Sequence, residues 1–184
     1  GMENPGRYGE ALYARQGDAL LVNLFPASEL AWREKGLVLR QETRFPDEDR
    51  TRLALRLQGG ARFALRVRHP AWAGDGFAAT VNGQAVKLDS RPGSYATIER
   101  EWRDGDVVEL RLPMALRFEA FADDPARGAF LFGPIVLAAD LGTKGLDHGA
   151  RFGPTAPEVR LQGLPPAPGL VTGSPSEALA RVKP

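Results

Sequence analysis

Apolar and polar residues alternate with a period of two along much of this chain. That is the spacing of half-buried strands, whose successive side chains leave opposite faces of a sheet. Arg52 to Leu57 shows it clearly: Leu53, Leu55 and Leu57 point to a core, Arg52 and Arg56 to water. Arg62 to Arg68 repeats the device with Phe63, Leu65 and Val67 inward. In Gly36 to Phe45, Leu37, Leu39, Gln41, Thr43 and Phe45 share one face, with Val38, Arg40, Glu42 and Arg44 on the other. Ala19 to Phe25 reads as a buried strand stopped by Pro26. Phe77 to Leu88 is interrupted by Asn82-Gly83, a pair suited to the positive φ angles of a two-residue hairpin. Tyr95 to Trp102, the tight turn Arg103-Asp104-Gly105-Asp106, and Val107 to Leu112 follow, closed by Pro113. Ala115 to Phe121 and Ala129 to Ala139 add further strands, the second broken at Gly133-Pro134 by a bulge or bend.

This makes about nine or ten strands at the spacing of all-β domains, with no sustained helical period. The long connections at 46–51, 69–76 and 89–94 favour two packed sheets over an up-and-down barrel. The expected fold is an antiparallel β-sandwich, jelly-roll or immunoglobulin-like, over residues 18–142. Residues 1–17 form an N-terminal segment. Residues 143–184, rich in Pro and Gly, read as a loop-rich tail or the start of a further, truncated domain, with one short strand around Val159-Arg160-Leu161. Gly1 before Met2 has the look of a tag scar, so the chain is expected to be cut from a longer protein.

Composition narrows the chemistry. A net charge of +1 gives no global field for nucleic acid or anionic lipid, and no apolar run is long enough to span a membrane. There are no cysteines, which excludes disulfides, thiolate nucleophiles and cysteine-held zinc in this chain. Its two histidines, His69 and His148, exclude a multi-histidine metal site. Compartment is left undetermined.

A glycosidase needs two carboxylates facing across a cleft. Glu99 and Glu101 share one face of a strand, but Arg100, Arg103 and Asp104 beside them suggest a solvated edge. Glu42, between Arg40 and Arg44, suits a cross-strand ion-pair ladder. Asp104-Gly105-Asp106 and Asp123-Asp124 are short for a calcium loop and read as turns. Trp32, Trp72 and Trp102 are the sugar-stacking candidates. Trp72, on a loop after His69-Pro70-Ala71, is the most exposed in prospect, Trp32 the second candidate, and Trp102 is assigned to packing. No catalytic and no metal-binding residue is assigned.

Several segments together resemble the post-catalytic region of family 127 glycoside hydrolases, the β-L-arabinofuranosidase type. They include Leu21-Val22-Asn23-Leu24-Phe25, Leu39 to Pro46, Arg66-Val67-Arg68-His69-Pro70-Ala71-Trp72, Val81-Asn82-Gly83, Glu101 to Asp106, and Gly133 to Leu137. The resemblance spans about residues 8–142. It implies an α/α-barrel catalytic domain followed by β-sandwiches, with zinc held by cysteines and a glutamate in the barrel. It therefore transfers no catalytic residue to this chain. The implied partner is that barrel on the same polypeptide, with a homodimer mate or glycans as further candidates. The readings open are an accessory sandwich, a carbohydrate-binding module with exposed aromatics, or a free-standing enzyme with facing carboxylates.

Overall fold

The computed structural model describes residues 7–125, 127–138, 174, 177, 179 and 180. They form two compact units. The first is a sandwich of a four-stranded and a six-stranded sheet.

The four-stranded sheet runs β1 (Tyr13–Gln16), β2 (Ala19–Val22), β6 (Ala61–Arg68), β9 (Tyr95–Trp102). The six-stranded sheet runs β3 (Ser28–Trp32), β4 (Leu37–Thr43), β5 (Arg50–Leu57), β10 (Val107–Arg111), β7 (Ala78–Val81), β8 (Gln84–Val86). All pairings are antiparallel except β2 with β6, where Leu20 sits beside Leu65. The chain therefore crosses repeatedly between sheets: the long connections at 69–76 and 89–94 carry crossings, short turns at 58–60 and 103–106 carry others, and the long connection at 46–51 stays within the six-stranded sheet.

The inward faces meet in one core. Val22, Leu65, Val67 and Ile98 come from one sheet, Leu39, Leu53, Leu55 and Leu110 from the other, and all are buried. Burying each such side chain stabilises by about 1.5–3 kcal/mol, which is why the two-residue alternation fixes which face turns inward. Trp32 of β3 meets Phe63 of β6 edge-on at 5.5 Å, and Phe63 stacks on Trp102 at 5.7 Å, an aromatic column joining the sheets. At Asn82-Gly83 the φ angles are 52° and 79°, the conformation that a two-residue hairpin demands.

Two strands lie where the sequence pattern shows none. β1 falls inside the segment expected to precede the sandwich, so the first sheet begins at Tyr13 and not after residue 17. It is a short edge strand with three exposed residues, too polar to show a period. β3, five residues at the other sheet's edge, is masked by Pro26 just before it. Both strands are tied in by one buried polar residue. Gln41 is 1% exposed on β4, and its Nε2 donates to the carbonyls of Leu24 (3.3 Å) and Pro26 (2.9 Å). The Tyr13 hydroxyl lies 2.9 Å from Ser28 Oγ and 3.5 Å from Gln41 Oε1. Gln41→Met keeps the volume but removes the amide donor from both carbonyls, while Pro26 keeps the Ser28 hydroxyl at 2.9 Å. A loss of about 1–2 kcal/mol is expected in urea unfolding; an unchanged midpoint would show that Gln41 does not secure the edge strands.

Among the described residues, the second unit takes in 116–131 and 136–138, so the compact sandwich does not run continuously through the stretch expected to belong to it. The reason is strand pairing. β11 (Leu116–Ala120), β12 (Gly128–Phe132) and β13 (Ile135–Val136) form a separate three-stranded sheet. Phe118 and Phe130 pack at 5.2 Å, and a Cβ on Gly128 would lie 2.2 Å from the Glu119 carbonyl oxygen, so only glycine fits there. The strand expected at 159–161 lies outside the described residues. In the tail, Ser174 Oγ accepts from Glu177 N (3.3 Å) while Glu177 Oε2 accepts from Ser174 N (3.0 Å). This reciprocal cap lies beside Glu177 and Leu179, both helical where only loop was expected.

Candidate functional site

The most site-like surface is the outward face of the six-stranded sheet. Across four strands, Glu42, Arg52, Glu109 and Thr80 fall in one cross-strand row. They line a groove of about 550 Å³ together with Arg111 and the small Ala78. Glu42 accepts a hydrogen bond from Arg52 Nη1 and lies 3.6 Å from Arg40. Arg44 reaches Glu48 at 3.0 Å, and Asp49 lies between Arg111 (3.2 Å) and Arg50 (3.6 Å). This is a neutralised ladder of exposed pairs, each worth about 0–1 kcal/mol, open to solvent along its length. It lacks the enclosed pair of facing acids that sugar hydrolysis uses.

Glu99 and Glu101 are exposed on β9, and Glu99 lies 3.4 Å from Arg62 of the neighbouring strand. Asp104 and Asp106 build the corner between β9 and β10. Asp104 Oδ1 accepts from Leu57 N (2.9 Å). Asp106, 6% exposed, accepts from Arg103 N through Oδ2 (2.9 Å) and from Asn82 Nδ2 through Oδ1 (2.8 Å). Asn82 Oδ1 in turn accepts from Val107 N at 2.9 Å. Burial pushes the Asp106 carboxyl pKa up, yet the Asn82 and Arg103 hydrogen bonds and the charges of Arg100 and Arg103 outweigh it and hold it below the ordinary aspartate value. The aspartates at this corner are thus spent on the protein's own backbone and side chains. Asp124, in the second unit, pairs with Arg127 at 3.3 Å.

Trp32 is 6% exposed with its ring against Phe63, so it presents no face to a sugar. Its Nε1 is buried with no hydrogen-bond partner among the described residues. Trp72 is half-buried and stacked on Phe45 at 5.8 Å, itself edge-on to Phe25 at 6.0 Å. One face of its ring is therefore taken by packing. Trp102 is fully buried. His69 is 3% exposed, stacked on Phe77 at 4.4 Å, with Nδ1 3.0 Å from Ser90 Oγ and Nε2 2.7 Å from the Gly74 carbonyl. It knots two loops together, and both ring nitrogens are engaged. His148 lies outside the described residues. Among the described residues, no three of His, Cys, Asp and Glu gather where they could hold a metal ion. A zinc site built on cysteines does not fit this chain, which has none.

Sequence reasoning misses the Asn82–Asp106 clasp and the Gln41 tie. An Asn in a hairpin turn signals backbone conformation, and nothing in the sequence says that its side chain also reaches an aspartate 24 residues away.

Comparison with known proteins accords with this architecture. Solved structures that resemble the chain include three glycoside hydrolases. A GH127 β-L-arabinofuranosidase from Geobacillus stearothermophilus T6 has 29% identity and a TM-score of 0.61, with 70% of this chain and 21% of that one covered. A glycoside hydrolase has 33% identity and a TM-score of 0.61, covering 68% and 22%. A GH127 β-arabinofuranosidase has 33% identity and a TM-score of 0.58, covering 68% and 23%. The chain spans roughly a fifth of the length of these proteins. No curated protein matches the sequence. Residues 19–114 match the family described as the GH127 middle domain of β-L-arabinofuranosidase. That span takes in the sandwich from β2 to the end of β10 and more than half of the chain, which therefore belongs to the GH127 middle-domain family, an accessory domain of glycoside hydrolases.

Proposed function

We propose that this sandwich is non-catalytic and serves an L-arabinofuranosidase-like enzyme by packing against its catalytic barrel. The carrying observation is where the carboxylates go. Glu42, Glu48, Asp49 and Glu99 lie beside arginines on open faces, and Asp104 and Asp106 are bonded into a corner. Hydrolysis of a glycoside needs one acid to give a proton and a second to attack or activate water from the opposite side. Acids distributed in this way serve the fold instead. Any zinc of such an enzyme would be held by the barrel. The match to about a fifth of each related hydrolase supports the same reading, since the chemistry then belongs to the remaining length.

The test is direct. The purified chain, assayed with p-nitrophenyl β-L-arabinofuranoside with and without added zinc, is expected to show no release of nitrophenol above buffer. Turnover abolished by Glu99→Gln or Glu109→Gln would overturn the proposal. Calorimetry with arabinose oligosaccharides separates the module reading: saturable binding lost in Trp72→Ala would replace a packing domain with a sugar-binding one.

A further inference from the structure

Three of the four strands at the margins of the sandwich are short: β1 has four residues, β3 five and β8 three. The fourth, β9, has eight and pairs on one side only, with β6. Ala96, Ile98 and Trp102 of β9 are buried, and Thr97, Glu99 and Glu101 are exposed. The bonding of β6 shows which backbone groups of β9 are in use. Ala64 N–H donates away from β9, to the Asp18 carbonyl at 3.3 Å, and His69 N–H donates to the Ser94 carbonyl at 2.9 Å. By alternation, Ala96, Ile98, Arg100 and Trp102 bond to β6, while Tyr95, Thr97, Glu99 and Glu101 turn N–H and C=O to the open side. Of those open groups, only the Glu101 carbonyl has a partner among the described residues, Arg100 Nε at 3.4 Å.

The sandwich is also unfinished on that side. The Tyr13 hydroxyl of β1 meets Ser28 of β3 at 2.9 Å, so those two edges close one side, and β9 and β8 lie at the other. The six-stranded sheet has two strands more, which at about 4.8 Å each carry it roughly 10 Å past β9. Its margin is poorly covered there. Gln84 and Ala85 are exposed, and Val86, opposite buried Ala79, is only partly buried, as is Leu88. A strand laid beside β9 meets the open groups of Tyr95, Thr97 and Glu99 and covers Val86.

We infer that the β9 edge receives an additional strand from the rest of the same enzyme. It pairs along residues 95–99, is apolar where it faces Val86, and carries no Asp or Glu opposite Glu99, since like charges directly opposite repel. The inference rests on the accessory-domain reading above. Arg100 sets the limit of the pairing: it is an inward-pointing charge at an edge, its guanidinium 5.4 Å over Trp102 and its Nε on the Glu101 carbonyl. A second copy of the chain fits less well. Two β9 strands about 4.8 Å apart would drive the overhanging β7 and β8 of each copy into the same space. A short strand holds poorly as a free ligand, whereas one tethered on the same polypeptide meets the edge at high effective concentration. The related enzymes, several times longer than this chain, have the length to supply it.

The test is amide hydrogen exchange at single-residue resolution, on this chain alone and on the full-length enzyme that carries it. Ala96 and Ile98, bonded to β6, should be slow in both. Thr97 and Glu99 should exchange near the free-peptide rate in this chain and about a hundredfold more slowly in the enzyme, at every dilution. Thr97→Pro removes an N–H from the open edge and none from the β6 pairing. In the enzyme it should abolish protection at Glu99 and leave Ile98 slow. Fast exchange of Thr97 and Glu99 in the unmutated enzyme would overturn the inference, a reading independent of how the variant folds. Slow exchange in this chain alone would overturn it too. Protection lost on dilution would then name a second copy as the occupant, and protection unaffected by dilution a segment of this chain. Turnover by the isolated chain would sink the accessory reading and leave the exchange rates unchanged, so the two failures are distinguishable.

Discussion

Trp102→Ala is expected to cost the sandwich about 3–5 kcal/mol in urea unfolding, the range for deleting a fully buried aromatic side chain. The residue is 0% exposed at the end of β9, and its ring closes the column in which Phe63 stacks on it at 5.7 Å and Trp32 meets Phe63 at 5.5 Å. Removing it leaves a cavity between sheets that cannot collapse without moving β6. It also strips the Phe63 carbonyl of the Nε1–H donor at 3.1 Å, and the Arg100 guanidinium of the ring 5.4 Å away. Whole domains are stable by about 5–15 kcal/mol, so the variant should sit near its unfolding threshold at 37 °C. Trp102→Phe keeps an aromatic face and loses the N–H. It should cost about 1–2 kcal/mol, separating stacking from the hydrogen bond. An alanine variant within 1 kcal/mol of the parent would mean that the column does not join the sheets.

Asp106→Asn is expected to cost about 2–4 kcal/mol despite being nearly isosteric. The carboxylate uses one oxygen for Arg103 N–H and the other for the Asn82 amide, both donors. An asparagine turned either way sets its NH₂ against one of them. The pH dependence supplies a second reading. Because the folded-state pKa of Asp106 is depressed, its contribution is present in full above the unfolded value near 3.9 and is lost as pH falls through the folded one. The gap between parent and variant in urea midpoint should therefore be constant from neutral pH down to about 5 and shrink below about 4. A gap that persists unchanged at pH 2 would show that ionised Asp106 does not hold the corner.

Much of the sandwich is legible in the sequence because burial and alternation are the same fact seen twice. Leu53, Leu55, Leu57, Phe63, Leu65 and Val67 all turn inward as their period requires. Trp102 is core, as its place in an alternating strand suggests. β1 and β3 escape because edge strands need not carry a period on both faces: Ala14, Arg15 and Gln16 are all exposed. Trp32 stands as a sugar-stacking candidate only while β3 is unseen; once the strand is placed, it faces Phe63. The absence of cysteine is plain on a first reading, whereas the ties between Gln41 and the Leu24–Pro26 loop, and between Asn82 and Asp106, are not. Those are contacts between distant residues that no local pattern encodes.

β10 is the last strand of the sandwich to be synthesised, yet it sits in the interior of the six-stranded sheet, between β5 and β7. Its five residues pair with Arg50–Ala54 on one side, and four of them with Ala78–Val81 on the other. Until it arrives, β3-β4-β5 and β7-β8 are two separate ribbons with raw inner edges, and the nascent chain carries both at once. Such unpaired edges invite pairing with other molecules. Assembly of this domain is thus gated by a closing wedge. A chain ending before Val107 has a sheet with a slot in its middle, and such a fragment is one that cellular quality control would meet as aggregation-prone.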